Sequence, residues 1–146
     1  MKNYLLKLHY LLLIVLLVGC KAAIYDQYTY TQTLAIKADA ISLIEVANQP
    51  FEDHALDAAE LKNSIKAMVT YEEAKSNNPI TVQMWKYMDE KSSINDFLEL
   101  WKETETLSDA LLPEYKAQVQ TIFDLMADYE NRKTRETENA LLAAIQ

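Results

Sequence analysis

An all-α fold is what this chain predicts, and three observations predict it. Past the first nineteen residues there is no glycine, because the single one is Gly19. Glycine supplies the positive φ of tight hairpin turns, so a glycine-free body speaks against a β-rich fold. Alanine, leucine, glutamate, lysine and glutamine are abundant, and these are strong helix formers. Apolar residues also recur at three- and four-residue steps, between breaks set by Pro50, Pro79 and Pro113. Half of the residues are apolar, enough to bury the core of one domain over residues 20–146. Helical segments with short connections pack most readily as an antiparallel up-down four-helix bundle, and that is the expected architecture. At ~1.5 Å rise per residue its rods should reach roughly 35–45 Å. No internal repeat is apparent.

The first segment runs from about Ala23 to Val46, with Ile24, Tyr28, Leu34, Ala38, Ile41 and Ile44 as its candidate core stripe. It stops at Asn48-Gln49-Pro50, because the residue before proline is pushed out of the helical region. The second starts at Pro50, and Glu52 and Asp53 oppose the positive end of its dipole. Its stripe is Phe51, Ala58, Leu61, Ile65 and Met68, and Lys75 to Pro79 end it. The third carries Trp85 and Met88, then Asp89-Glu90-Lys91-Ser92-Ser93 interrupts the pattern. Ser93 with Asp96 has the form of a capping box, so this helix should be kinked or broken near Ser92-Ser93. Ile94, Phe97, Leu98 and Trp101 continue beyond the break. The fourth segment follows Ser108, with Pro113 in its first turn and a stripe of Tyr115, Val119, Ile122, Met126 and Tyr129. A polar stretch over 131–139 precedes an apolar tail containing Leu141, Leu142 and Ile145. Up-down connectivity would bring that tail back to the start of the first segment, against Ile24, Tyr25 and Tyr28.

Residues 1–19 have a different character. Lys2 and Lys7 precede an apolar run from Leu11 to Val18, and Gly19 and Cys20 follow. A positive start, a short apolar middle and small residues at the cut make a secretory signal. The run is too short for a bilayer-spanning helix, which needs about 20 apolar residues. No A-x-A-like cleavage site is present. Leu17-Val18-Gly19-Cys20 resembles the lipobox of bacterial lipoproteins. The resemblance implies that the Cys20 sulfur receives a diacylglyceryl group and that the chain is cut before Cys20. The new amino terminus can then take a further acyl chain, such as palmitate. Lys21, rather than an aspartate, follows the cysteine; by analogy with enteric sorting this favours the outer membrane. Two acyl chains make a lasting anchor, at ~0.8 kcal/mol per buried methylene. Cys20 has no second cysteine to pair with in this chain. With its early tyrosine-bearing helix and the Trp85 to Trp101 stretch, the body resembles small helical lipoproteins of Bacteroidetes-type bacteria. That resemblance supplies no catalytic residues.

Charge and side-chain inventory narrow the function. Removing Lys2 and Lys7 with the signal leaves twelve basic residues against 22 acidic ones, a net charge of −10. Such a surface suits neither phosphate backbones nor anionic headgroups, so nucleic acid is not an expected partner and lipid must hold the body at a membrane. One histidine, His54, remains after the signal, which is too few for the usual zinc ligand sets. Glu-x-x-His pairs of di-iron bundles and the Cys-x-x-Cys-His of covalent haem are absent. His54 lies on the apolar stripe of the second segment, where a haem ligand opposite Met68, Met84, Met88 or Met126 is conceivable. A half-buried residue in the first turn is the plainer role. Without glycine there is neither a nucleophile elbow nor a P-loop. The acid pairs Glu103 with Glu105 and Asp89 with Glu90 match a solvated face. Trp85, Tyr87, Phe97 and Trp101 match a core, or a binding patch if exposed. The expected function is therefore a non-enzymatic, lipid-anchored envelope protein that contacts or scaffolds another envelope protein, with no metal and no cofactor. The alternative is a periplasmic bundle that binds a ligand or cofactor.

Overall fold

The computed structural model describes residues 25–145, so the signal, Gly19 and Cys20 lie outside it, as do Ala23 and Ile24. The fold is all-α: among the described residues there are helices and no strand. The expected four rods are six α-helices: α1 (Gln27–Glu45), α2 (Ala55–Glu73), α3 (Pro79–Glu90), α4 (Ser93–Thr104), α5 (Leu112–Arg132) and α6 (Arg135–Ala144). A 3-10 turn, Phe51–His54, leads into α2. The rods are shorter than expected, since the 19 residues of α1 span about 28 Å, and capped connections take up the rest. None of these helices is long and apolar enough to cross a membrane.

Asp26 starts α1, its side chain accepting the backbone N–H groups of Tyr28 and Thr29. The buried face of this helix is Thr29, Thr33, Ile36, Ala40, Leu43 and Ile44. The expected stripe is wrong over most of its length. Tyr28 is 50% and Leu34 39% exposed, Ala38 faces solvent, and only Ile44 is fully buried. Two threonines occupy core positions, so apolar spacing points to the adjacent face. In α2 the stripe is as expected: Phe51, Ala58, Leu61, Ile65 and Met68 are all buried.

The third segment breaks into two helices. Ser92 is the extended residue between them, and its Oγ donates to the Met88 carbonyl at 2.8 Å. Asn95 Nδ2 donates to the Asp89 carbonyl at 2.8 Å. These side chains satisfy carbonyls that α3 leaves open, so the break needs no solvent. The cap residue is Ser92 rather than Ser93, and its side chain makes no capping bond. A capping box does form elsewhere, between Thr134 and Thr137 at the start of α6.

Helix α5 carries its predicted stripe, with Val119, Ile122, Met126 and Tyr129 buried and Tyr115 half-buried against Phe97. Lys133, at φ 48°, then reverses the chain. Helix α6 runs back along α5, so that Ala144 borders a groove with Ala117, Gln118 and Thr121. The tail therefore does not return to Tyr25 and Tyr28; its Leu141 is fully buried and α6 packs on α5.

Cross-links show how the helices run. Tyr28 meets Tyr71, near the start of α1 and the end of α2, while Lys37 pairs with Asp124 and Glu45 with Lys116, so α1 is antiparallel to both α2 and α5. Thr81 reaches Glu130, and Trp85 packs on Phe123, so α3 is antiparallel to α5. The connections 46–50 and 105–111 are sewn together where α1 and α4 end: Leu107 N–H donates to the Ala47 carbonyl at 2.7 Å, and Phe51 N–H to that of Glu105 at 2.8 Å. Trp101 sits inside this seam. It is fully buried, edge-on to Phe51 at 5.3 Å, with Nε1–H donating to the Gln49 carbonyl at 3.0 Å.

Without glycine, positive φ falls on Asn77, Glu105 and Lys133. Asparagine tolerates this region, whereas a residue such as Glu105 (φ 64°) pays roughly 1–2 kcal/mol. Glu105→Gly should therefore raise the thermal midpoint, by up to about 1 kcal/mol of stability once glycine's extra chain entropy is deducted. Trp101→Ala should cost about 3–5 kcal/mol in urea unfolding, as expected for a large buried aromatic. A loss below 1 kcal/mol would mean that the ring is not core.

Candidate functional site

The chemistry-bearing side chains gather where α1 begins and α2 ends. Glu72 extends the α2 stripe one turn past Met68, which puts a carboxylate at 0% exposure. A buried carboxylate must be paired and hydrogen-bonded, and here the partners come from α1 and from the connection that follows α2. Thr29 Oγ1, in the first turn of α1, donates to Glu72 Oε1. Lys75, two residues past the end of α2, donates at 2.8 Å to that same oxygen. Asn78, in the connection to α3, donates to Oε2. Lys75 also bonds Asp26 at 2.7 Å, and Tyr71 OH donates to Asp26 at 3.0 Å. Thr33 Oγ1 turns back onto the Thr29 carbonyl. The helix dipoles agree with this arrangement, with carboxylates at the positive end of α1 and a cation at the negative end of α2.

Burial alone would raise the Asp26 carboxyl. Hydrogen bonds from Lys75, the Thr29 backbone and Tyr71 outweigh it and bring the group down to about 2. Burial likewise lowers Lys75, but its bonds to Asp26 and Glu72 more than offset this and raise it. Burial, and then the hydrogen bond to Asp26, raise the Tyr71 phenol.

The same construction occurs again at the end of α5. Glu130 is 2% exposed, and Thr81 Oγ1, in the first turn of α3, donates to it at 2.6 Å. Lys133 donates to the same oxygen at 2.5 Å and to Thr81 at 3.1 Å. In both copies the lysine lies over the ring of the tyrosine before the glutamate: Lys75 over Tyr71 at 4.7 Å, Lys133 over Tyr129 at 4.5 Å. Burial, followed by Glu138 and Glu130, pushes the Tyr129 phenol up to about 12. A short internal repeat, not apparent from composition or periodicity, is thus present in space. Its signal is Met68, Tyr71, Glu72 and Lys75, matched by Met126, Tyr129, Glu130 and Lys133 at one constant offset.

The copies differ at two points: Lys133 has no counterpart of Asp26 among its partners, and the glutamates differ at their second oxygen. Asn78 supplies the second oxygen of Glu72 with a donor, but at the same sequence offset from Glu130 stands Glu136, whose carboxylate has none to give. Glu130 Oε2 is buried without a partner, and so is the Trp85 indole N–H. One is an acceptor and the other a donor.

No family model, curated protein or solved structure matches this chain.

The other predicted positions separate. Trp85, Phe97 and Trp101 are core, and Tyr87 is half-buried beside the groove at Ala144. Met68, Met84, Met88 and Met126 are buried in the same core. His54 is half-buried: its Nε2 lies 3.2 Å from Gln49 Oε1, and its ring packs on Trp101 at 5.6 Å. Glu103 and Glu105 are exposed, as is Glu90, with Asp89 half-buried. Among the described residues, no three His, Cys, Asp or Glu side chains are grouped to hold a metal ion. The two polar clusters have the chemistry of clamps, fixing helix ends through buried ion pairs. Removing one partner of such a pair costs about 3–5 kcal/mol, because it strands a charge.

Asp26 provides the pH test. Its folded-state value lies below the ordinary 3.8, so as pH falls the unfolded chain takes up the proton first. The contribution is complete above about pH 4 and is lost as pH falls towards 2. Asp26→Asn should flatten that part of the profile in urea unfolding followed by circular dichroism. An unchanged acid slope would assign the loss to other groups.

Proposed function

We propose that this chain is a lipid-anchored protein of a bacterial cell envelope, held at the outer membrane through acyl chains on Cys20. Its body is a non-enzymatic module that contacts or scaffolds another envelope protein. One observation carries the reading: a positive start with Lys2 and Lys7, an apolar run and Cys20 stand directly before a helical body. The body is an up-down antiparallel bundle in which α1, α2, the broken pair α3–α4, and α5 are the four rods. Helix α6 is an addition on the outside of α5. Such a body transmits position rather than chemistry: its core is filled by Trp85, Trp101, Phe97 and Phe123. The methionines named for the ligand-binding alternative are themselves part of that packing.

The cellular protein should partition into the detergent phase. Mass spectrometry should find an N-terminal Cys20 enlarged by acyl chains, and Cys20→Ser should move the protein to the aqueous phase with its helicity intact. An unprocessed leader with a free Cys20 thiol would end the proposal.

A further inference from the structure

We propose that the end of the body bearing Tyr25 and Tyr28 seats on the lipid bilayer, with both rings at the headgroup boundary. This rests on the reading of Cys20 as the lipid attachment point.

Tyr25 and Tyr28 are 47% and 50% exposed, although each has a large apolar ring. The rings do not stand singly: Tyr28 packs on Tyr71 at 4.6 Å, and Tyr25 lies 6.3 Å from Tyr30. A tyrosine ring with a polar tip suits a boundary that is apolar on one side and wet on the other. Position selects lipid as the occupant. Tyr25 is five residues beyond Cys20, and five residues span at most about 18 Å even fully extended. Helix α6 does not cover this end, because it runs back towards Ala117.

Charge agrees with the orientation. Glu45, Glu52, Asp53, Glu105, Asp109 and Glu114 collect at the opposite end, around the sewn connections. At the tyrosine end most carboxylates have a cation beside them: Asp26 and Glu72 have Lys75, Glu130 has Lys133, Glu73 has Lys86 and Asp128 has Arg132, while Glu136 and Glu138 open α6 next to Arg135. Seating the tyrosine end therefore keeps the strongly acidic pole away from headgroups, where a negative surface would repel it. The tether supplies the affinity, and the rings set the orientation.

The test uses the full processed chain in phosphatidylcholine vesicles, with bromine placed near the top of the acyl chains as a quencher. Tryptophan is introduced by Tyr25→Trp, Tyr28→Trp or, at the acidic pole, Leu111→Trp, which is 38% exposed in the parent. Emission from the buried Trp85 and Trp101 is subtracted using the parent protein. Wild type should float with the vesicles. Y25W and Y28W emission should shift to shorter wavelength and lose intensity on brominated lipid, with L111W unchanged. If the protein floats but Y25W and Y28W are quenched no more than L111W, the seating is wrong and the anchor stands. A protein partner on these rings would give that same result. If wild type fails to float, the anchor and the seating fall together.

Discussion

Taking the Glu72 carboxylate out of water is the constraint on which the rest of the fold turns. A carboxylate on α2 cannot stay buried unless its oxygens meet donors, and these donors come from α1 and from the connection between α2 and α3. Satisfying one side chain therefore fixes the register of three elements. Glu130 imposes the same condition on α3 and α5, with Lys133 serving both as ion partner and as the residue at which the chain reverses. The far end is held differently, by backbone bonds between two connections and by an indole packed between them. One end is polar and clamped; the other is aromatic and sewn.

That division gives the molecule two unlike poles. The clamped end carries half-exposed tyrosines and is where the described chain begins, five residues along the sequence from Cys20. The sewn end carries a concentration of carboxylates, of which Glu45 is paired with Lys116. A tether at one pole and charge at the other would orient the body, leaving the acidic end free to meet a partner. The doubled clamp adds stiffness to this picture, because two pairs of helix ends are locked by the same chemistry. The second copy is less complete, since Glu130 Oε2 has no partner where Asn78 serves Glu72.

The all-α class, the break at Ser92, and the buried faces of α2 and α5 were legible in the residues themselves. They follow from glycine's absence, from proline and serine chemistry, and from apolar spacing along contiguous chain. The inner face of α1 was not legible, because Thr29 and Thr33 are polar by residue type and become core only when Glu72 and the helix backbone take up their hydroxyls. The direction of α6 was hidden too, since nothing around Lys133 says whether the chain continues or turns back until α5 offers a surface for Leu141. The paired clamps escaped for the same reason: their lysines and glutamates look like solvated charge until a helix far away in sequence closes over them. Periodicity belongs to neighbours along the chain, whereas the satisfaction of a buried polar group is decided by residues tens of positions away. The sequence by itself thus determined the all-α class and the stops at Pro50, Pro79 and Ser92, whereas tertiary packing decided the reversal at Lys133 and which polar residues go inside.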